Sequence, residues 1–142
     1  MKTLLKGGTV VSGSGSQVCD VLIDGEKIEQ VAAQITCPEA NVVDVTGKLL
    51  FPGFIDAHTH FDLDVCNTTT ADNFDTATRS AIRRGTPLVI YFACPNKGER
   101  LPYGLDLWHK KAAGRSSCAS RFHLPIHAWN APIKAQVPTT LA

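Results

Sequence analysis

Pro52-Gly53-Phe54-Ile55-Asp56-Ala57-His58-Thr59-His60 decides how the rest of this sequence is read. A Pro-Gly turn introduces a short apolar run, Phe54-Ile55-Asp56-Ala57, which predicts a buried strand. Two histidines follow with one residue between them. Side chains alternate along a strand, so His58 and His60 point the same way and can chelate one metal ion. Parallel α/β folds place their chemistry at the carboxyl ends of strands, where these imidazoles emerge. Neutral imidazole suits Zn²⁺, and two protein ligands leave most of its coordination shell open. A polar turn that happens to carry two histidines is the plain alternative, because an isolated H-x-H is a weak motif. The apolar strand and Pro-Gly entry in front of it favour the metal reading.

Working outward on the C-terminal side, the spacing predicts a helix over 72–84. Phe74, Ala77, Ala81 and Ile82 form its apolar stripe, Thr70 caps its start and Gly85 closes it. Leu88 to Ala93 reads as a second buried strand. Leu101, Leu105, Trp108 and Ala112 mark a second helix closed by Gly114, and Phe122, Leu124, Ile126 and Ala128 alternate as a third strand. Strand, helix, strand, helix, strand implies a parallel sheet with right-handed crossovers. Residues 130–142 carry two prolines and no period, and are expected to be an irregular tail.

On the N-terminal side the pattern is all-β. Val18, Val21 and Ile23 lead into Asp24-Gly25, then Ile28 and Val31 continue, which is a hairpin signal. Gly7-Gly8 and Gly13-Ser14-Gly15-Ser16 mark further turns, and Val42, Val43 and Val45 add a strand. About 50 residues of this kind are too few to bury a good core alone. The expected organisation is therefore a β element over 1–50, a βαβαβ portion over 51–129 and a tail over 130–142.

Composition narrows the function classes. The chain has 142 residues, 44% of them apolar, and 14 basic against 13 acidic side chains. That balance gives no electrostatic footprint for nucleic acid or an anionic membrane. The longest apolar run, Leu88 to Cys94, is far short of the ~20 residues of a membrane-spanning helix. The N-terminus carries no signal-peptide core, so a cytoplasmic location is expected. Cys19, Cys37, Cys66, Cys94 and Cys118 are odd in number and form no C-x-x-C pair, so free thiols in a reducing compartment are expected. Cys66 alone falls near the histidine motif.

The string FPGFIDAHTH, preceded by VVDVTGKLL, resembles the amidohydrolase superfamily. The continuation TTTADNFDTATRSAIRRGT, with PNKGE and LDLWHKKA further on, is similar more narrowly to dihydropyrimidinases and D-hydantoinases. The resemblance covers roughly residues 3–129. It implies an α/β chain: the first three strands and two helices of a (β/α)₈ barrel, preceded by part of a small β-sandwich. It also implies hydrolysis of a cyclic amide, a dihydropyrimidine or a hydantoin, by a zinc-bound hydroxide. His58 and His60 would be the pair on one metal of a two-zinc site. Asp62 to Asn67 would lie in the loop that shapes the substrate pocket, although a solvated acidic loop is an equally good reading of Asp62 and Asp64.

In such relatives a carboxylated lysine, two further histidines and a catalytic aspartate come from later strands. Lys134 follows the third strand too closely to occupy the lysine position, since no helix of ordinary length fits between. His123 and His127 are expected on one face of the third strand, as core or rim residues rather than ligands. Other positions also depart from the pattern. Pro87 and Tyr91 stand where threonine and aspartate are usual, Ala119-Ser120-Arg121 replaces an Asp-Tyr-Gly-like stretch, and Pro125 interrupts a strand. The expectation is thus a truncated or decaying copy with no catalytic residue of its own, an unassigned substrate site, at most one weakly bound zinc and a tendency to self-associate. Dihydroorotase or allantoinase chemistry is a second reading, weakened because Phe61-Asp62 stands where a carboxylate-binding arginine would be needed. A non-catalytic dihydropyrimidinase-like interaction protein is a third.

Overall fold

The Asp24-Gly25 signal does produce a hairpin. In the computed structural model, which describes residues 1–95 and 98–140, β1 (Lys2–Ser12), β2 (Gly15–Asp24) and β3 (Lys27–Ala32) form an antiparallel meander. Gly13-Ser14 and Gly25-Glu26 are its two-residue turns, set by the pairs Ser12↔Gly15 and Asp24↔Lys27. β4 (Asn41–Asp44) and β5 (Leu49–Leu50) add in parallel along the free side of β1. These five strands make one sheet within the first of two units, Met1–Pro52.

Gly7-Gly8 is not a turn, as the sequence suggests, but an irregularity inside β1. The register against β2 slips between Leu5 and Gly8, and Gly7 takes φ +76°, the left-handed region that glycine tolerates. The slip removes the Gly7 amide from the ladder, and a buried carboxylate replaces the lost partner. Asp20 Oδ1 accepts from Gly7 N and Oδ2 from Ile35 N, both at 2.9 Å. Ile35 is thereby seated on Leu4 and Leu22. These two backbone donors hold the Asp20 carboxyl below its ordinary range.

The second unit is Gly53–Ala142. It contains β6 (Ile55–Thr59), the short hairpin β7 (Asp64–Val65) and β8 (Thr68–Thr69), and α1 (Phe74–Arg83). Then come β9 (Leu88–Phe92), α2 (Leu101–Ala112), β10 (Ala119–His123) and α3 (Ala131–Thr140). β6, β9 and β10 form a parallel sheet in the order β10-β9-β6, with a helix in each crossover. The chain is therefore an α/β protein. Asn96 and Lys97, the middle of the PNKGE motif, lie outside the described residues, as does the end of the expected tail. No helix among the described residues is long and apolar enough to cross a membrane.

Several local expectations need correction. Asn73, not Thr70, caps α1: its side chain accepts from Thr76 N at 3.0 Å while Thr76 Oγ1 accepts from Asn73 N at 3.2 Å. Thr70 is engaged earlier, accepting from Leu63 N. Ile82 is exposed, because at roughly 100° per residue it falls about 80° from Phe74, outside the stripe of Phe74, Ala77, Thr78 and Ala81. β10 begins at Ala119 and stops at His123, ahead of Pro125, which has no amide to offer a ladder. His127 is consequently off the strand, and the two histidines do not share a strand face. Residues 131–140 are helical, although no side chain of α3 is buried. Its link to the rest is Gln136 Oε1, which accepts from Leu101 N at the start of α2. β6 is not buried. Phe54 and Ile55 are 55% and 60% exposed: Ile55 is in register with Leu88, on the face opposite Val89 and Tyr91 that the helices leave open, and β6 pairs only with β9 among the described residues.

The core of this unit lies on one face of the sheet. Val89, Tyr91 and Ala93 meet Phe74 of α1 and Trp108 and Ala112 of α2. Phe74 packs on Tyr91 edge-to-face with ring centres 4.6 Å apart, and Phe61 on the same ring at 5.1 Å. Among the described residues the buried Tyr91 hydroxyl has no hydrogen-bond partner, and burial pushes its pKa up to about 12. The nearby Ser116 hydroxyl, donated to the Cys118 carbonyl at 2.8 Å, offsets only part of that rise.

Two predictions follow from these carboxylate and hydroxyl environments. Because the folded pKa of Asp20 is depressed, its contribution to stability is full above the ordinary carboxylate range and disappears as pH falls through the folded value. Acid titration of the melting temperature should therefore show a decline that is blunted in Asp20→Asn, a variant already less stable at pH 7; identical acid limbs would refute the assignment. Tyr91→Phe, which deletes an unpartnered buried hydroxyl and keeps the ring, should leave the melting temperature unchanged or raised. Phe74→Ala should instead cost about 3–5 kcal/mol. A Tyr91→Phe loss comparable to that of Phe74→Ala, read by thermal unfolding, would mean the hydroxyl is satisfied.

Candidate metal-binding site

His58 lies on β6 and His60 just beyond it. The register of β6 against β9 slips between Asp56 and Thr59: Asp56 pairs with Val89, but Thr59 pairs with Tyr91. A residue is thus inserted just where the histidines begin, and such irregularities re-aim the side chains that follow. Both imidazoles pack on Phe92, with ring centres 4.5 Å away for His58 and 5.1 Å for His60. Phe92 belongs to the opposite face of β9 from Tyr91, so the pair stands on the side away from the helical core. The two histidine rings are 5.3 Å apart. Two imidazoles on a tetrahedral zinc, bonded at about 2.0–2.1 Å, have ring centres separated by roughly 5 Å. The donor chemistry and spacing of the pair therefore fit one metal ion.

They do not fit more than that. Among the described residues no three histidine, cysteine, aspartate or glutamate side chains converge on one point. Cys66 sits exposed in the β7–β8 turn and is a free thiol. Cys94 and Cys118 are half-buried, and burial raises both thiols above their usual pKa, the opposite of an activated nucleophile. Lys134 lies on α3, with its ammonium 5.3 Å from the centre of the Trp129 ring.

The loop after β6 is built by Asp62 as a structural anchor. Asp62 takes φ +49°, and Cys66 and Asn67 share that left-handed region. Asp62 Oδ2 accepts from Phe74 N at 3.1 Å and meets the Arg115 guanidinium at 3.1 Å. Its carbonyl accepts from Lys111 Nζ at 2.8 Å. One residue thus ties the loop to the start of α1 and the far end of α2. Asp64 is exposed and accepts from Thr69 Oγ1. Neither carboxylate joins the histidine pair.

Sequence reasoning missed two members of the histidine environment. Phe92 forms its aromatic floor, which strict alternation along β9 from Tyr91 could have revealed. His123 also packs on Phe92, with ring centres 4.9 Å apart, and its Nε2 is 3.0 Å from the Ala57 carbonyl. No local signal announces that contact, since 66 residues separate the partners.

No family model matches the chain. Individual proteins do. It is 36% identical over 141 residues to the D-hydantoinase of Geobacillus stearothermophilus, covering 99% of this chain and 30% of that protein. It is 36% identical over 135 residues to the dihydropyrimidinase of Dictyostelium discoideum, covering 94% of this chain and 27% of that one. The crystal structure of dihydropyrimidinase from Brevibacillus agri NCHU1002 superposes with a TM-score of 0.94 at 38% identity, covering 99% of this chain and 31% of that one. The 142 residues span less than a third of the length of these relatives, and over that span the chain belongs to the dihydropyrimidinase and D-hydantoinase family.

Proposed function

We propose that this chain is the N-terminal portion of a metal-dependent cyclic amide hydrolase of the dihydropyrimidinase or hydantoinase type. In this reading residues 51–129 are the first strands and helices of a (β/α)₈ barrel, and residues 1–50 are part of a small β-sandwich. The observation that carries it is the His58–His60 pair, 5.3 Å apart on the carboxyl end of the first strand of a βαβαβ unit. The two imidazoles would hold one zinc, and the aromatic floor of Phe92 limits the directions they take. When bound, a metal of this kind supplies a nucleophile at neutral pH and polarises the ring carbonyl. A dihydropyrimidine or hydantoin is the substrate class. Five free thiols suit a reducing compartment, and the cytoplasm is the proposed location.

The same residues argue that the 142-residue chain does little chemistry alone. Two histidines fill only two of the four positions of a tetrahedral zinc. The described residues offer no third ligand converging with the pair, and the Asp56 carboxylate next to it accepts from the His58 amide at 3.1 Å, which occupies the neighbouring group that could otherwise carry a proton to the leaving nitrogen. The isolated chain should therefore take up at most one zinc, lose it on dialysis, and open dihydrouracil and hydantoin no faster than a His58→Ala/His60→Ala variant. Turnover well above that control would sink the idea. The alternative reading is a non-catalytic interaction protein. The chain is also 34% identical over 140 residues to mouse dihydropyrimidinase-related protein 5, covering 25% of it. Zinc uptake read by titration separates the two readings, because a chain of the interaction type should take up none and show no difference between wild type and the double variant.

Self-association belongs to the same proposal. β6 and β10 end the parallel sheet, and Phe54, Ile55 and Trp129 are each more than half exposed. Unpaired edges and apolar surface favour pairing with other chains. Purified protein should elute as oligomers whose proportion rises with concentration, and charged substitution at Ile55 should shift it toward monomer. A single monomeric species at every concentration would contradict this.

A further inference from the structure

The register slip in β6 takes three steps from Asp56 to Thr59 against two from Val89 to Tyr91. Ala57 and His58 lie inside that irregular step, where backbone groups drop out of regular pairing. The Ala57 carbonyl finds its partner from two strands away: His123 Nε2, at 3.0 Å. A carbonyl only accepts, so Nε2 carries the proton and donates. His123 is in register with Phe92 and packs against its ring. One imidazole is therefore fixed on two sides, by the backbone just before His58 and by the ring on which His58 and His60 rest.

We propose that His123 is a positioning residue: its Nε2–H, donated to the Ala57 carbonyl, fixes the irregular step of β6 and so sets the direction in which His58 and His60 leave the strand. The consequence for metal binding rests on the reading of His58 and His60 as ligands, whereas the restraint on β6 does not. His123 is not itself a third ligand, since no three such side chains converge among the described residues. Its imidazole acts on the backbone that carries the ligands.

His123→Phe keeps a ring on Phe92 and deletes the donor, whereas His123→Gln restores an N–H. Amide hydrogen exchange is read without metal, residue by residue, and zinc binding is read by titration calorimetry. In His123→Phe, exchange at Ala57 to Thr59 should quicken while that of β9 and the thermal midpoint stay put. Zinc affinity should fall about tenfold, the lower end of what losing an outer-shell partner costs. His123→Gln should recover most of both. Unchanged exchange in His123→Phe overturns the proposal, and so does zinc affinity equal to wild type. Faster exchange spread evenly over β9 and β10 with a lowered midpoint also overturns it, as does failure of His123→Gln to rescue. If wild-type protein binds no more zinc than the His58→Ala/His60→Ala variant, the metal reading is what has failed, and the exchange experiment alone decides the role of His123.

Discussion

The second unit depends on the burial of one face of β9. Val89, Tyr91 and Ala93 are at most 1% exposed, and both helices of the βαβαβ unit are anchored there through Phe74 and Trp108. A parallel strand has to be covered on both sides to remove its apolar residues from water. Here α1 and α2 cover one side, and the side that carries His58, His60 and His123 stays exposed. Stability and candidate chemistry are thus divided between the two faces of the same strand: Tyr91 faces the helices, and Phe92, one residue later, supports the histidines.

Where regular hydrogen bonding fails, single side chains replace it, and the solution recurs. Asp20 takes the amides of Gly7 and Ile35 around the irregular step of β1. Asp62 takes the amide of Phe74 and the guanidinium of Arg115 where the chain leaves β6 for α1. His123 serves the Ala57 carbonyl where β6 slips against β9. Backbone groups withdrawn from ladders and removed from water need such partners, or the irregularity would cost as much as it gains in shape. Two of these three irregular points flank the histidine pair, so the local direction of the imidazoles is set by long-range side-chain contacts rather than by strand alternation alone.

This explains what the sequence could and could not reveal. Helices and strands came through because their apolar periods are local: Phe74 to Ala81, Leu88 to Phe92 and Leu101 to Ala112 each declare themselves within a few residues. The shared direction of His58 and His60 was legible from the period of two. Some missed features are local, such as the Asn73 cap, but others have distant partners or weak periods. Ile55 reads as buried until it is known that it is in register with Leu88, on the face of the sheet that the helices leave open. The strand containing Phe122 was placed too late because alternation continues past Pro125, although the missing amide of Pro125 argues for stopping sooner. α3 has no apolar stripe at all and is fixed through Gln136 to α2, a contact that no window of residues 130–142 contains. Asp62 reads equally as part of a pocket-shaping loop or of a solvated acidic loop, and its role as a tie is not legible locally, because its partners Phe74 and Arg115 lie 12 and 53 positions away.

The division of labour among the three parallel strands bears directly on what the site can do. At the carboxyl ends of β6, β9 and β10 the chain presents His58 and His60, then Phe92, then His123. The first strand offers the two neighbouring imidazoles. The second gives an aromatic floor, and the third commits its imidazole to a backbone carbonyl. Charge stabilisation is strong in a dry, preorganised enclosure and weak where water competes for every donor. An open face with two imidazoles therefore has the donors for one metal ion, but among the described residues it neither excludes water nor adds a third ligand.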